Sequence, residues 1–181
     1  MILEIERRAS RQLNFNGPGL KTISQQPVTA LLEDIRSLWN VGSIFRTADG
    51  AGIKQIYLCG ITGCPPRKEI AKTSLGAETE IAWQYFVGPL DALMLLRTAG
   101  ITIVGLERTA GSQELTSDFV RHNLKSPMCL VVGNEVAGIS AEVLDVCDFI
   151  CHLPMRGAKE SLNVAVAFGI AAYMLSDLYC S

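Results

Sequence analysis

The chain has 181 residues, 49% of them hydrophobic and only 19% charged, with a mean hydropathy of +0.27 and a formal net charge of −2. That length suits one domain able to bury roughly 70% of its unfolded surface, and the composition excludes disorder, collagen and coiled coil. The charge carries no global nucleic-acid signature, so any such partner must use a local patch, and the apolar surplus points to a subunit interface.

Residues 1–26 read as a short polar arm with a basic cluster, Arg7, Arg8 and Arg11, and a turn at Asn16-Gly17-Pro18-Gly19. No apolar signal core follows Met1. Residues 27–181 read as the single folded domain. Its predicted elements are a strand at 28–32, a helix at 41–50 capped by Asn40, and a strand at 55–59. A helix or loop at 66–75, a strand at 81–86 and a helix at 89–98 with Pro89 in its first turn follow. Then come a strand at 101–106, a loop containing Gly111, and an apolar strand at 128–132. A helix at 140–146 capped by Ser140, a strand at 149–153 and a terminal helix at 162–178 capped by Ser161 complete the pattern.

This alternation predicts an α/β fold, a mostly parallel sheet covered by helices on both faces. Ligands of such sheets sit beyond the C-terminal strand ends, which directs attention to the loops at 33–40, 107–111, 133–138 and 154–161. The terminal helix is apolar nearly all round, and such a helix must be covered on both sides; a homodimer with this helix near the interface is the expectation, and full burial within the monomer is the alternative. The apolar run at 162–175 is interrupted by Asn163 and falls short of the ~20 residues needed to cross a bilayer, so the protein reads as soluble and cytoplasmic. Six cysteines without C-x-x-C, and only two histidines, give no metal pattern; buried reduced thiols are expected.

Three of these loops carry unusual residues. The first is Asn40-Val41-Gly42-Ser43-Ile44-Phe45-Arg46. A guanidinium on an apolar helix is costly unless a carboxylate or phosphate meets it, although an exposed helix arginine and a plain capping Asn40 explain the same residues. The second is Gly133-Asn134-Glu135-Val136-Ala137-Gly138, where Gly133 permits close approach of a ligand to the backbone and Glu135 has backbone amides, a ligand or Arg46 to bond. A tight strand-to-helix turn is the bland reading. The third, Leu153 through Val164, returns from a strand end to a helix start, which suits an anionic or polar ligand as well as ordinary capping.

Together and in this order the loops resemble the SpoU (TrmH-type) family of RNA ribose 2′-O-methyltransferases, of the SPOUT superfamily. The motifs are Asn-x-Gly-x-x-x-Arg from Asn40, Gly-x-Glu-x-x-Gly from Gly133, and Leu-Pro-Met-x-Gly followed by Ser-Leu-Asn-Val-x-Val-Ala from Leu153. The resemblance covers roughly residues 28–176. It implies a C-terminal trefoil knot, which the general rule against knots would not suggest. It also implies a homodimer and S-adenosylmethionine held by three loops, here Leu106 and Glu107, Gly133 and Asn134, and Leu153, Met155, Ser161 and Leu162. The absence of G-x-G-x-x-G fits that mode and argues against a Rossmann enzyme.

The implied reaction is displacement at the sulfonium methyl by a ribose 2′-hydroxyl, with tRNA favoured over rRNA. Arg46, Asn40, Glu135, Ser161 and Asn163 are the implied catalytic set. A charged guanidinium holds no acceptor, so Arg46 is expected to orient the hydroxyl or its phosphate. RNA grip falls to Arg46, Arg67, Lys68, Lys72 and Arg156, with Arg7, Arg8, Arg11, Lys21 and Lys159 as further cations. The rival reading is a non-catalytic RNA-binding or assembly protein that keeps the knot; a small-molecule nucleotide enzyme is weaker still, because Gly17-Pro18-Gly19 lacks the spacing of a phosphate loop.

Overall fold

The computed structural model describes residues 26–125 and 127–177; Arg7, Arg8, Arg11, Lys21 and Cys180 lie outside them. Strands β1 (Val28–Glu33), β2 (Gln55–Cys59), β3 (Ala82–Phe86), β4 (Thr102–Leu106), β5 (Gln113–Glu114), β6 (Met128–Val132) and β7 (Phe149–His152) form one sheet in the order β3-β2-β1-β6-β4-β7-β5. Every neighbouring pair is parallel. Helices α1 (Leu38–Gly50), α2 (Lys68–Ser74), α3 (Ala77–Glu80), α4 (Pro89–Thr98), α5 (Ser117–Asn123), α6 (Ala141–Leu144) and α7 (Val164–Ser176) cover it.

Strand side chains alternate between the two faces, and each face has its own core. Ala30, Leu32, Ile56, Leu58, Leu130 and Val132 pack with Ile44 and Phe45 of α1 and Phe168, Ala172 and Leu175 of α7. Leu31, Tyr57, Ile103, Cys129 and Val131 pack with Leu93 and Leu96 of α4 and Val143 of α6. The continuous apolar runs of β1 and β6 are thus strands buried on both sides.

Several boundaries move. α1 begins at Leu38 under Ser37, whose Oγ accepts from the Asn40 amide at 3.3 Å, so Asn40 is inside the first turn and its side chain is free for other bonds. α7 begins at Val164, not 162: Asn163 is the cap, and its Oδ1 accepts from the Ala165 and Val166 amides at 3.0 and 3.4 Å. The helix at 140–146 shortens to Ala141–Leu144 with Ser140 at its cap position, but the Ser140 side chain bonds the buried Glu33 instead of a helix amide, its Oγ donating at 2.6 Å, and the Ser140 N–H donates to the same carboxylate at 3.1 Å. The segment around Gly111 holds β5 and α5 as well as a loop, and α3 was also unforeseen; all three are short and mostly polar, with little periodicity to reveal them.

Of the five described cysteines, Cys59, Cys129 and Cys151 are buried, while Cys64 and Cys147 are only partly so, and all five are free. Burial pushes the Cys64 thiol up to about 11, which suits an inert packing role.

Gly42 of the first motif has a packing role. A Cβ there would overlap Thr73 Oγ1 and the Ile70 carbonyl of α2, so the glycine lets the two helices touch. α1 also lies against α7, where a Cβ on Gly169 would press on Thr47. On the outer side of α7, Val166, Ile170 and Tyr173 are 52%, 43% and 50% exposed, with Leu162 at 38% just before it. The helix is therefore covered on one side only by its own chain. Among the described residues no helix is long and apolar enough to cross a membrane.

Candidate active site

The C-terminal ends of β6, β4 and β7 are adjacent in the sheet, and the loops leaving them enclose a cleft of about 500 Å³. Its walls include Leu106 and Glu107 after β4, Gly133, Asn134 and Glu135 after β6, and Leu153, Met155, Ser161, Leu162 and Asn163 after β7. Arg108, Val136, Gly138, Glu160 and Ala167 line it too, as does His152. His152, one of the two histidines that form no metal pattern, was not among the expected site residues; its place at the end of a strand was the available signal. His152 Nδ1 lies 2.9 Å from Ser112 Oγ, which anchors the ring to the loop after β4.

Glu135 is the joint of the site. Its carboxylate accepts from the amides of Arg36 at 2.9 Å and Ser37 at 3.0 Å, and from Asn40 Nδ2 at 2.9 Å. It bonds the first motif's loop, not the Arg46 guanidinium. Partial burial pushes its pKa up, but the two amides and the Asn40 side chain outweigh this and hold it below the ordinary glutamate value. Asn40 Oδ1 in turn accepts from Asn163 Nδ2 at 3.1 Å. One relay, Asn163 to Asn40 to Glu135 to the Arg36 and Ser37 amides, thus joins all three motifs.

Other polar side chains brace the same loops. Asn134 Oδ1 accepts from the Val136 and Ala137 amides, and its Nδ2 donates to the Asp34 carbonyl at 2.8 Å. Glu107 accepts from the Ile139 and Arg108 amides, both at 3.0 Å. Gly133 serves its own loop rather than a ligand at its α-carbon: a Cβ there would overlap the Gly138 carbonyl and the Ile139 nitrogen. That close return is closed by reciprocal Asn134–Gly138 backbone bonds of 3.0 and 2.9 Å.

Arg46 lies in the third turn of α1, is exposed, and does not line the cleft. Its exposure removes the burial cost that suggested an intramolecular partner. Arg67, Lys68, Lys72 and Arg156 are likewise exposed and outside the cleft wall. Among the described residues no group of three or more His, Cys, Asp or Glu could hold a metal.

The double role of Asn163 yields a separable prediction. Asn163→Asp keeps the oxygen that caps α7 and loses the donor to Asn40, so the melting temperature should hold while activity falls. Asn163→Ala loses both and should cost about 1 kcal/mol of stability in addition. Thermal melts beside turnover measurements check this, and equal stability of the two variants would contradict it.

A parallel α/β sheet with a strand-end cleft, built from these three loops and lacking a glycine-rich dinucleotide turn, defines a ligand-binding class distinct from the usual nucleotide folds. The chain belongs to the SpoU rRNA Methylase family, whose model matches residues 27–173. It is 32% identical over 150 residues to a putative TrmH family tRNA/rRNA methyltransferase, YacO, of Bacillus subtilis, covering 83% of this chain and 58% of that protein. It is 29% identical over 167 residues to the 23S rRNA (guanosine-2'-O-)-methyltransferase RlmB of Vibrio parahaemolyticus, covering 92% and 66%. The structure of an AdoMet-bound rRNA methyltransferase from Sinorhizobium meliloti superposes with a TM-score of 0.80 at 30% identity, over 93% of this chain and 62% of that one. The chain therefore spans less than two thirds of the length of these relatives.

Proposed function

We propose that this chain is an S-adenosylmethionine-dependent methyltransferase that modifies a ribose 2′-hydroxyl in structured RNA. The observation that carries the reading is the hydrogen-bonded relay from Asn163 through Asn40 to Glu135, which draws the three motif loops together beside the strand-end cleft. Family membership and the AdoMet-bound neighbour support it.

The cleft suits the cofactor. Its volume is in the ~300–1,000 Å³ range of small-molecule sites. Leu106, Leu153, Met155 and Leu162 offer apolar cover for a purine, and the backbone at Gly133 and along the loops offers polar groups for its edge. Bound there, S-adenosylmethionine supplies an electrophilic methyl group. The chain's own residues then hold the ribose in line and exclude water. Asn40 and Glu135 fix the start of α1, which carries Arg46. Arg46 orients the 2′-hydroxyl or the neighbouring phosphate, and Arg67, Lys68, Lys72 and Arg156 add phosphate contacts.

The exposed stripe Leu162, Val166, Ile170 and Tyr173 supports a homodimer through α7, since four large apolar side chains at helical spacing are otherwise left in water. We also take the chain's C-terminal part to form the trefoil knot of the family, with residues 27–181 as the domain and 1–26 as an arm.

The test is transfer of tritiated methyl from S-adenosylmethionine to bulk tRNA and to rRNA, followed by alkaline hydrolysis. A 2′-O-methyl group blocks cleavage at its own phosphodiester, so label should survive in alkali-resistant dinucleotides. Arg46→Ala should reduce incorporation about 100-fold or more with the oligomeric state intact. Label in bases would overturn the reading, and so would cofactor binding without any transfer, which would favour a non-catalytic RNA-binding protein.

A further inference from the structure

The cleft leaves α2 and the two tryptophans flanking it unused. Trp39, the residue before Asn40, is 47% exposed, and Lys72 Nζ sits over its ring, 5.5 Å from the centroid. Trp83 of β3 closes a separate groove of about 430 Å³ with Pro65, Pro66, Arg67, Lys68 and Ala71. Arg67, Lys68 and Lys72 are exposed, and none makes an ion pair among the described residues. Glu78, on the groove wall, turns its carboxylate onto Ser74 Oγ and the Gly76 amide. Glu69 and Glu80 are the other acids of this stretch.

We infer that α2 and its flanking indoles form a docking track for a single-stranded segment of RNA beside the target ribose. Unstacked bases rest on Trp39 and in the Trp83 groove, and phosphates meet Arg67, Lys68 and Lys72. The inference rests on the RNA reading above and adds strandedness to it. Cations alone would serve a duplex equally well, but an indole stacks only on a base whose face has left the helix. A dry protein interface fits poorly, because it would bury three cations without counter-charges, whereas a nucleic-acid backbone supplies them. The apolar stripe suited to a second copy is on α7, a different element. The track also lies where a substrate strand would need it: Trp39 adjoins Asn40, whose amide holds Glu135 at the cleft.

Trp39 and Trp83 are the chain's only tryptophans, so Trp83→Phe leaves Trp39 as the sole indole reporter. Titration with a single-stranded oligoribonucleotide should quench its emission, while the same sequence paired into a duplex should not. Trp39→Ala should bind the single strand about 5- to 100-fold more weakly, and Trp39→Phe should recover much of the loss. Sedimentation and melting should match wild type. Paired Lys68→Gln and Lys72→Gln substitutions should flatten the salt dependence by about two phosphate contacts. Unchanged single-strand affinity in Trp39→Ala, in a wild-type background that methylates RNA, would overturn the track alone. Equal quenching by duplex, or dissociation of the oligomer by Trp39→Ala, would also overturn it, the last by making Trp39 a subunit contact. Failure of the wild type to methylate any RNA would instead remove the underlying reading.

Discussion

Glu135→Ala is expected to cut methyl transfer about 100-fold while leaving the protein folded. The carboxylate is the acceptor for the Arg36 and Ser37 amides and for Asn40, so its loss releases the loop that starts α1 and, with it, the register of Arg46. Displacement of a positioned group by about 1 Å is worth about 10² in rate. The stability cost should be smaller, about 1–3 kcal/mol, because hydrogen bonds to a charged group are strong but these face solvent in part. Glu135→Gln retains one carbonyl acceptor and should fall between the two. The pH dependence has a fixed sign. The folded-state pKa is depressed, so Glu135 stabilises the fold above the ordinary glutamate value and that contribution is lost as pH falls through the folded value. Acid unfolding of Glu135→Gln should therefore be less steep than that of wild type. A Glu135→Ala enzyme of normal turnover would refute the relay as an organising element.

Much of the fold was legible because the chemistry is repetitive. Leu130-Val131-Val132 has no polar face, which forces a strand buried on both sides, and the two cores on either side of β6 bear this out. Pro89 marked the start of α4 correctly because its missing amide costs nothing there. Helix starts at the motifs were displaced by two or three residues for a common reason. Asn40 and Ser161 both have capping chemistry, but Ser37 and Asn163 hold the two long-helix caps, and the Asn40 side chain is spent on Glu135; Ser140 keeps the cap position of α6, with its side chain spent on Glu33. Local propensity cannot register a partner about 100 residues away. The strand-end rule located the cleft loops, and the motifs named most of its walls. It could not show that Glu135, Asn134 and Glu107 direct their side chains to the loops themselves, nor that Arg46 stands exposed. Trp39 drew no notice because it fell in the loop expected at 33–40, ahead of the helix predicted from 41; its place in the first turn of α1 and its exposure distinguish it.

Gly133→Ala should be strongly destabilising, by about 2–4 kcal/mol, with a melting temperature lowered by about 5–12 °C. The added Cβ would overlap the Gly138 carbonyl and the Ile139 nitrogen, backbone atoms that have no alternative rotamer. Relief requires the 133–138 loop to open, which breaks the reciprocal Asn134–Gly138 bonds and pulls Ile139 from Glu107. The loops after β6 and β4, two of the three that wall the cleft, would shift, so affinity for S-adenosylmethionine should fall with stability. Gly157→Ala is the control: the same motif chemistry, but open space around the added carbon, so its effect should be within about 0.5 kcal/mol. Calorimetric melts and cofactor titration of the two proteins separate the explanations. If Gly133 were needed for a ligand to approach the backbone, Gly133→Ala would weaken cofactor binding without lowering the melting temperature; the close return of its own loop predicts that both fall together.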